Sequence, residues 1–254
     1  MIVTTGAEKE ILIEGGRHLA AILAALRARV APGVTTEELN ALAEEMILAE
    51  GDEPAFLAYT PEGGGRPYPA TLCVSINDDV VHGIPNEPIK TLREGDIVSL
   101  DLGLRHNGII VDSAVTVAVG AVSEETKKLL RATEAALAAG IAAAIPGKHV
   151  GDISHAIQKE IEGAGFTVIK ELGGHGVGEL VHEEPFIPNF GKPGEGEPLI
   201  EGMVLALEPI SSAGKAAVTI APDGYTFRTK DGSRSAHFEH TILLERAGAR
   251  IITA

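Results

Sequence analysis

Residues 94–103 have the sequence EGDIVSLDLG, and residues 201–210 have the related sequence EGMVLALEPI. Each stretch begins with an acidic residue and a glycine, a pairing typical of turns, and continues as an apolar run that predicts a buried strand. When the two stretches are aligned, Asp101 matches Glu208. The repeat predicts a chain that folds as two related halves, with one acid at the same place in each.

Two longer stretches extend this repeat toward the N-terminal side of each strand. Residues 30–51 and residues 145–165 both contain a Pro-Gly turn followed by an amphipathic helix. The first half has extra residues between its helix and its strand, and the Gly/Pro-rich residues 60–67, TPEGGGRP, predict an inserted surface loop. We therefore expect a single domain over 1–254, with pseudo-symmetric halves of about 1–121 and 122–254.

The order of helix and strand patterns predicts the fold class. Hydrophobic spacing and capping residues predict four helices, at about 7–29, 35–51, 123–145 and 152–163. β-Branched runs predict strands at about 71–76, 96–102, 109–119 and 241–245. The helices come in pairs and the strands in runs, without βαβ alternation, which favours an α+β fold with helices on one face of an antiparallel sheet.

Composition excludes several classes of protein. The chain has 254 residues, 44% of them hydrophobic, which is enough for one large core. No apolar run reaches the roughly 18 residues of a membrane span, and the N-terminal residues are acidic where a signal peptide is basic, so we expect a cytoplasmic protein without a membrane partner. Cys73 is the only cysteine, which excludes an internal disulfide and a cysteine-ligated zinc. The net charge of −15 disfavours binding to nucleic acid.

Acidic residues lie in or beside four apolar strand patterns: Asp101, Asp112, Glu208 and Glu239. Strand alternation places Asp101 on the side of Ser99, and Asp112 on a face whose other residues are small, such as Ala114. A lone buried carboxylate costs about several kcal/mol unless it is paired, protonated or bound to a metal. Taken singly, each acid is equally typical of a strand end or of a buried salt bridge.

Considered together, the four acids predict a metal site. Lys and Arg are almost absent from these segments, so four clustered carboxylates would repel one another unless cations lie among them. Two divalent ions balance four carboxylates, and His175 adds a nitrogen ligand. Such a set suits Mn²⁺, Fe²⁺ or Co²⁺ at least as well as Zn²⁺. Two ions about 3.5–4 Å apart lower the pKa of a shared water, which indicates hydrolytic chemistry.

Residues 173–185, GGHGVGELVHEEP, form the most glycine-rich stretch around a candidate ligand. The glycines do not open a helix as a dinucleotide-binding loop does, and Phe186 stands where a zincin motif has its second histidine. We expect the glycines to let the backbone approach a ligand around His175, with His182 as a nearby acid or base. The alternative is that both are ordinary loop histidines.

The other histidines have weaker patterns. His82 lies between turn signals and by itself indicates a loop residue, and His237 shares a strand face with Glu239. The remaining ones fall on predicted polar helix faces or loops: His18, His106, His149 and His155.

Six motifs together resemble one family, the type I methionine aminopeptidases. They are HGIP at 82–85, SLDLG at 99–103, VDSAVTVAVG at 111–120, GHGVGELVHEEP at 174–185, LEP at 207–209 and FEHTI at 238–242. Their order and spacing agree from about residue 5 to the C-terminus. The resemblance implies the pita-bread fold, a pseudo-twofold α+β domain with a curved antiparallel sheet covered by two helix pairs. It also implies a cytoplasmic enzyme of protein maturation that removes the initiator methionine.

The resemblance also implies a role for each motif residue. Asp101 would chelate one metal, His175 and Glu208 the other, and Asp112 and Glu239 would bridge both. The cofactor would be two divalent ions, Co, Mn or Fe(II), with Zn also compatible.

Three catalytic residues follow from the same resemblance. His82 would contact the substrate near the scissile amide, and His182 would donate a hydrogen bond to the developing oxyanion. A metal-bridging hydroxide would attack the carbonyl while Glu208 shuttles its proton. The substrates would be nascent peptides with a small second residue. Docking on the ribosome is implied by the family's role alone, since the small basic cluster at 127–131 is typical of a solvated helix face.

The pocket for the substrate side chain is where this chain departs from the family. Val181 stands where an aromatic residue is usual, and Tyr225 stands in place of a tryptophan. Tyr59, Tyr68 and Cys73 would complete a slot of moderate size, suited to an unbranched thioether.

Two other functions are compatible with parts of the sequence. Val181 before His182 is also seen in Xaa-Pro peptidases of the same fold, although HGIP and the histidine after Glu239 belong to the methionine branch. A non-catalytic binding module on this fold would usually lack metal ligands, and none of the five is missing here.

Overall fold

The computed structural model describes residues 1–60 and 65–254 and has the predicted α+β architecture. The helices are α1 (Gly6–Arg29), α2 (Thr36–Ala49), α3 (Glu124–Ala143) and α4 (Val150–Gly163). The strands of the first half are β1 (Glu53–Pro54), β2 (Leu72–Ile76), β3 (Asp79–Val81), β4 (Ile97–His106) and β5 (Ile109–Ala118). Those that follow are β6 (Thr167–Val168), β7 (Gly173–Gly176), β8 (Glu183–Pro188), β9 (Val204–Leu207), β10 (Ile210–Ser212), β11 (Val218–Ile220), β12 (Phe227–Thr229), β13 (Ser235–His237), β14 (His240–Glu245) and β15 (Gly248–Ile251).

Local capping sets where the helices begin. The Thr5 and Thr35 hydroxyls each accept a hydrogen bond from the backbone amide three residues later. The Glu8 and Glu38 carboxylates in turn accept one from the Thr5 and Thr35 amides. Ser123 caps α3 in the predicted position. All four helices lie within a few residues of their predicted bounds, because these start signals are local.

Two larger antiparallel sheets carry the two halves. In the first, β4 pairs with β1, β2 and β5, and the second has the order β15-β14-β9-β7-β8. Two three-stranded sheets, β13-β10-β6 and β11-β12-β3, lie beside them. One apolar core contains residues of α1, α2, β2 and β4, and a second contains residues of α3, α4, β9 and β14. The division of the chain near residue 121 stays a prediction.

The two larger sheets meet along β5, and we call this junction the seam. Across it, the Glu239 amide donates to the Ala114 carbonyl at 2.9 Å. The Thr241 hydroxyl donates to the Asp112 carbonyl at 2.7 Å and accepts from the Asp112 amide at 2.9 Å. Backbone and side-chain hydrogen bonds therefore join the halves where two of the candidate ligands lie.

The glycine-rich stretch 173–185 is strand at both ends and loop only between them. Its ends form β7 and β8, and a Cβ at Gly174 would lie 2.3 Å from the Ala206 carbonyl oxygen. A Cβ at Gly176 would lie equally close, 2.3 Å, to the Glu184 carbonyl oxygen. At these two positions the glycines let neighbouring strands approach. The expected approach of a ligand around His175 stays a prediction.

Two further expectations concern the surface of the molecule. Of the loop predicted at 60–67, residues 61–64 lie outside the described residues, and its flanks are joined by a hydrogen bond from the Tyr68 amide to the Tyr59 carbonyl at 2.8 Å. Among the helices described, none is long and apolar enough to cross a bilayer.

Candidate functional site

Strand register brings the acids of the first half to the seam. Asp101 on β4 pairs directly with Ala114 on β5, and Ala114 pairs on its other side with Glu239. Asp112 lies two residues before Ala114 and therefore on the same face of β5. The three carboxylates Asp101, Asp112 and Glu239 are thus brought together by β4, β5 and the segment between β13 and β14.

The second half supplies the remaining two candidate ligands. His175 on β7 pairs with Ala206 on β9, and Glu208 follows the end of β9 directly. His175 Nε2 lies 3.6 Å from Glu208 Oε1. One donor atom from each of Asp112, His175 and Glu239 lies within 4.8 Å of the others. All five predicted ligands line a single cleft of about 470 Å³.

A neighbouring carbonyl sets the tautomer of His175. Its Nδ1 lies 2.9 Å from the Gly176 carbonyl oxygen, which only an N–H can satisfy. The lone pair is therefore on Nε2, the atom nearest Glu208. This is the arrangement by which proteins orient a metal-binding imidazole.

Three acids of the cluster are not fully paired within the described part of the protein. One oxygen each of Asp101, Asp112 and Glu239 is buried without a hydrogen-bond partner. Burial raises the pKa of Asp101 to about 7, and burial together with the charge of Asp101 raises that of Asp112. Burial and then the charge of Asp112 raise the pKa of Glu239. Clustered, buried and unpartnered carboxylates fit divalent cations, which would supply the missing charge.

His82 and His182 line the same cleft and are held as neutral rings. Burial lowers the pKa of each to about 4. The His182 ring lies 4.5 Å from that of His175, and its Nδ1 is 2.8 Å from the Tyr59 hydroxyl. If this hydroxyl donates to Nδ1, Nε2 keeps its proton and is the ring's donor. His82 has a left-handed backbone, φ 58°, which is uncommon outside glycine and concentrates at functional sites.

All five predicted pocket residues line this cleft. Cys73 on β2 pairs directly with Asp101 on β4, so the pocket wall adjoins the cluster. The Tyr68 and Tyr225 rings meet edge to face at 5.1 Å, and the Tyr225 hydroxyl donates to the Arg66 carbonyl. Tyr59 and Val181 complete the set.

His237 is the site residue that the sequence indicated least. Its side chain is 2% exposed, with Nε2 at 3.4 Å from Glu208 Oε2 and 3.6 Å from Glu239 Oε2. In the sequence, only its position on the same predicted strand face as Glu239 indicated a role at the site. The imidazole therefore lies between two candidate ligands, although neither of its nitrogens makes a hydrogen bond to the described residues.

We expect His237→Leu to lower metal affinity by about 10–100-fold, as loss of a group that orients ligands does. His237→Gln keeps a polar side chain at the position and should retain more of the affinity than leucine does. Competition against a chelating indicator dye measures both variants. Wild-type affinity in the leucine variant would show that the imidazole does not orient the carboxylates.

This combination, a duplicated α+β unit with acids and an imidazole converging in one cleft, defines a metal-dependent hydrolase. A family model described as metallopeptidase family M24 matches residues 10–246, and the chain belongs to that family. The expected pita-bread fold is confirmed, and membership of a metallopeptidase family implies a requirement for metal.

Full-length relatives agree with the resemblance seen in the motifs. A methionine aminopeptidase of Aquifex aeolicus is 46% identical over 97% of this chain and 96% of its own length. Methionine aminopeptidase 1 of Bacillus subtilis is 42% identical over 100% of this chain and 99% of its own. The resemblance to methionine aminopeptidases is thereby confirmed.

Solved structures of two kinds of peptidase share the fold of this chain. One is the crystal structure of a methionine aminopeptidase from Thermotoga maritima, which is 44% identical to this chain and superposes with a TM-score of 0.93. The match covers 100% of this chain and 99% of the Thermotoga chain. The other is a prolidase from Pyrococcus furiosus, which shares the fold with a TM-score of 0.76 and is 23% identical. That match covers 100% of this chain and 65% of the prolidase chain.

Proposed function

We propose that this chain is a metal-dependent aminopeptidase that removes methionine from the N-terminus of peptides with a small second residue. The observation that carries the proposal is the direct strand pairing of Cys73 with Asp101, which puts a side-chain pocket against the candidate metal ligands. Full-length relatives of 40–46% identity named methionine aminopeptidase support the same function.

The proposed cofactor is a pair of divalent ions. Asp101 would hold one ion, His175 and Glu208 the other, and Asp112 and Glu239 would be shared by both. Carboxylate-rich donors with one imidazole favour Co²⁺, Mn²⁺ or Fe²⁺, and Zn²⁺ is also compatible. Such ions polarise a carbonyl group and lower the pKa of water, so that hydrolysis proceeds near neutral pH.

The side chains around the ligands would perform the proton and hydrogen-bond steps. Glu208 is 14% exposed and would accept the proton of the attacking water and return it to the leaving amine. His182 would donate from Nε2 to the carbonyl oxygen as negative charge develops there. His82 would bind the peptide beside the amide that is cleaved.

The aromatic wall would select the first residue of the substrate. Tyr225 meets Tyr68 edge to face and holds the backbone near Arg66 through its hydroxyl. Its ring therefore lies against both the slot and the backbone near Arg66. An unbranched thioether fits such an apolar slot because it adapts to irregular surfaces.

We expect Tyr225→Ala to lower kcat/KM for Met-Ala-Ser by about 10–100-fold, because one pocket contact contributes about this much discrimination. The ratio of kcat/KM for Leu-Ala-Ser to that for Met-Ala-Ser should rise. Tyr225→Phe keeps the ring and should stay close to wild type in selectivity. Comparison of kcat/KM for the two peptides measures the effect. Unchanged selectivity in the alanine variant would exclude Tyr225 from the pocket.

The proposed setting is the cytoplasm, with nascent peptides as substrates. The single cysteine supports this setting, because few cysteines are typical of a reducing compartment. Association with the ribosome belongs to the same proposal and would bring the enzyme to its substrates.

The experiment that tests the proposal is an assay of Mn²⁺- or Co²⁺-reconstituted protein on Met-Ala-Ser and on Ala-Pro-Ala. Release of free methionine from the first peptide alone is expected. Cleavage of Ala-Pro-Ala alone would assign the chain to the Xaa-Pro peptidases instead. Hydrolysis of neither peptide by metal-loaded protein would favour a binding module.

A further inference from the structure

A second cluster of metal-ligating side chains lies away from the cleft, and we call it the His–Asp–His cluster. It consists of His18 on α1, Asp52 after α2, and His106 at the end of β4. His18 Nδ1 is 2.8 Å from Asp52 Oδ2, and His106 Nδ1 is 2.6 Å from Asp52 Oδ1. The expectation that both histidines occupy polar surfaces is wrong, because their side chains are only 11% and 10% exposed.

Strand geometry separates this cluster from the cleft. Asp101 and His106 are five residues apart on β4, so their side chains point to opposite faces of the sheet. At about 3.3 Å per residue, their backbones are also roughly 17 Å apart. A Cβ at Gly15 would lie 2.9 Å from His106 Cβ, which places the cluster between α1 and the sheet.

The donor atoms suit a borderline transition metal. Two imidazole nitrogens and one Asp52 oxygen lie within 4.8 Å of one another. Mixed nitrogen and oxygen donors of this kind bind Zn²⁺, Co²⁺ or Ni²⁺ in preference to Mg²⁺ or Ca²⁺.

Two half-exposed acids lie on the Nε2 sides of the His18 and His106 rings. Glu50 Oε2 is 3.7 Å from His18 Nε2, and Glu14 Oε2 is 3.6 Å from His106 Nε2. Arg17 lies 3.5 Å from Glu14 at the surface. Asp52, Glu50 and Glu14 thus place three carboxylates near one guanidinium, which leaves the cluster with an excess of negative charge.

We propose that the His–Asp–His cluster is a further metal site that binds one Zn²⁺-type ion through His18, Asp52 and His106. In the metal-free form each Nδ1 proton bridges to Asp52. On binding, each ring would carry its proton on Nε2, on the side of Glu50 or Glu14, and each Nδ1 lone pair would bind the ion. Asn107, whose amide nitrogen lies 3.0 Å from His106 Nε2, turns its oxygen toward that proton.

The site would connect three elements that are distant in the sequence. The ion would tie α1, the end of the α2 segment and β4 together, and so stabilise the first helix pair against the sheet. At a free concentration about 100 times Kd, Zn²⁺ should raise the melting temperature by about 5 °C.

The test counts ions in a protein that lacks the proposed catalytic ligands. The Asp112→Ala/Glu239→Ala variant, equilibrated with Zn²⁺ and desalted, should retain one ion per chain by elemental analysis. Adding His18→Gln or Asp52→Asn should remove it, while His155→Gln, which changes an exposed histidine of α4, should not. Circular dichroism of the metal-free proteins checks that each variant is folded.

A second measurement uses the chain with its catalytic ligands intact. His18→Gln should hold one ion fewer than wild type and lose the Zn²⁺-dependent rise in melting temperature. An equal number of ions in both proteins, or an ion retained by the triple variant, would overturn the proposal. These readouts are independent of peptide hydrolysis, so failure of the proposed function would leave them interpretable.

Discussion

Asp112→Ala or Glu239→Ala protein is expected to lose both ions from the cleft and at least about 10³-fold of its methionine release. Each carboxylate is proposed to be shared by the two ions, and one oxygen of each is buried without a hydrogen-bond partner in the described part of the chain. Metal content of the desalted protein, assayed beside peptide hydrolysis, measures the effect. Glu160→Ala, which removes an exposed acid of α4, is the matched control.

In the metal-free protein, by contrast, the Asp112 carboxylate should lower the thermal stability of the fold. Burial and the charge of Asp101 disfavour an ionised Asp112, so Asp112→Asn removes a repulsion that only cations offset. In the presence of a chelator we expect the melting temperature of Asp112→Asn to rise by at least about 2 °C. Retention of two cleft ions by the alanine variants, or a lower melting temperature for the chelated asparagine variant, would contradict the assignment.

His182→Ala is expected to keep the cleft ions and to lower kcat by about 10²–10³-fold. The ring would donate a hydrogen bond that strengthens only as the carbonyl oxygen gains charge, and loss of one such donor has an effect of this size. Steady-state kinetics on Met-Ala-Ser, with metal content measured on the same samples, tests it.

Tyr59→Phe tests the hydrogen bond that sets the tautomer of His182 without removing the His182 ring. It removes the hydroxyl that lies 2.8 Å from His182 Nδ1 but leaves the imidazole in place. One lost hydrogen bond of this kind should lower kcat by up to about tenfold. Near-wild-type turnover in His182→Ala would refute the proposed role of His182, and a larger loss in Tyr59→Phe than in His182→Ala would place the main effect on the tyrosine.

Much of the fold could be predicted because its signals are local. The capping boxes at Thr5 and Thr35 and the apolar stripe of α1 act over a few residues, and the predicted helices agree with the structure. The repeat also anticipated the fold class, since equivalent acids imply equivalent strands. Pairing across the seam could not be predicted this way, because it joins residues more than 120 positions apart.

The parts that sequence patterns missed depend on which strands become neighbours. Gly174 and Gly176 have the composition of a loop, and only their contacts with β9 and β8 explain them. His18 and His106 look like surface histidines until α1 packs on β4 and brings them to Asp52. His237 becomes part of the site only when Glu208 arrives from a neighbouring strand.

The hydrogen bonds at the seam also determine when the chain can become active. A shift of one residue between β5 and its neighbour across the seam would turn Glu239 away from Asp112, because side chains alternate along a strand. Asp112 is translated long before Glu239, so a growing chain has only part of the proposed ligand set until the final strands have paired with β5. Activity would therefore report on the completed assembly of both halves, and a partly synthesised chain would be an inert one.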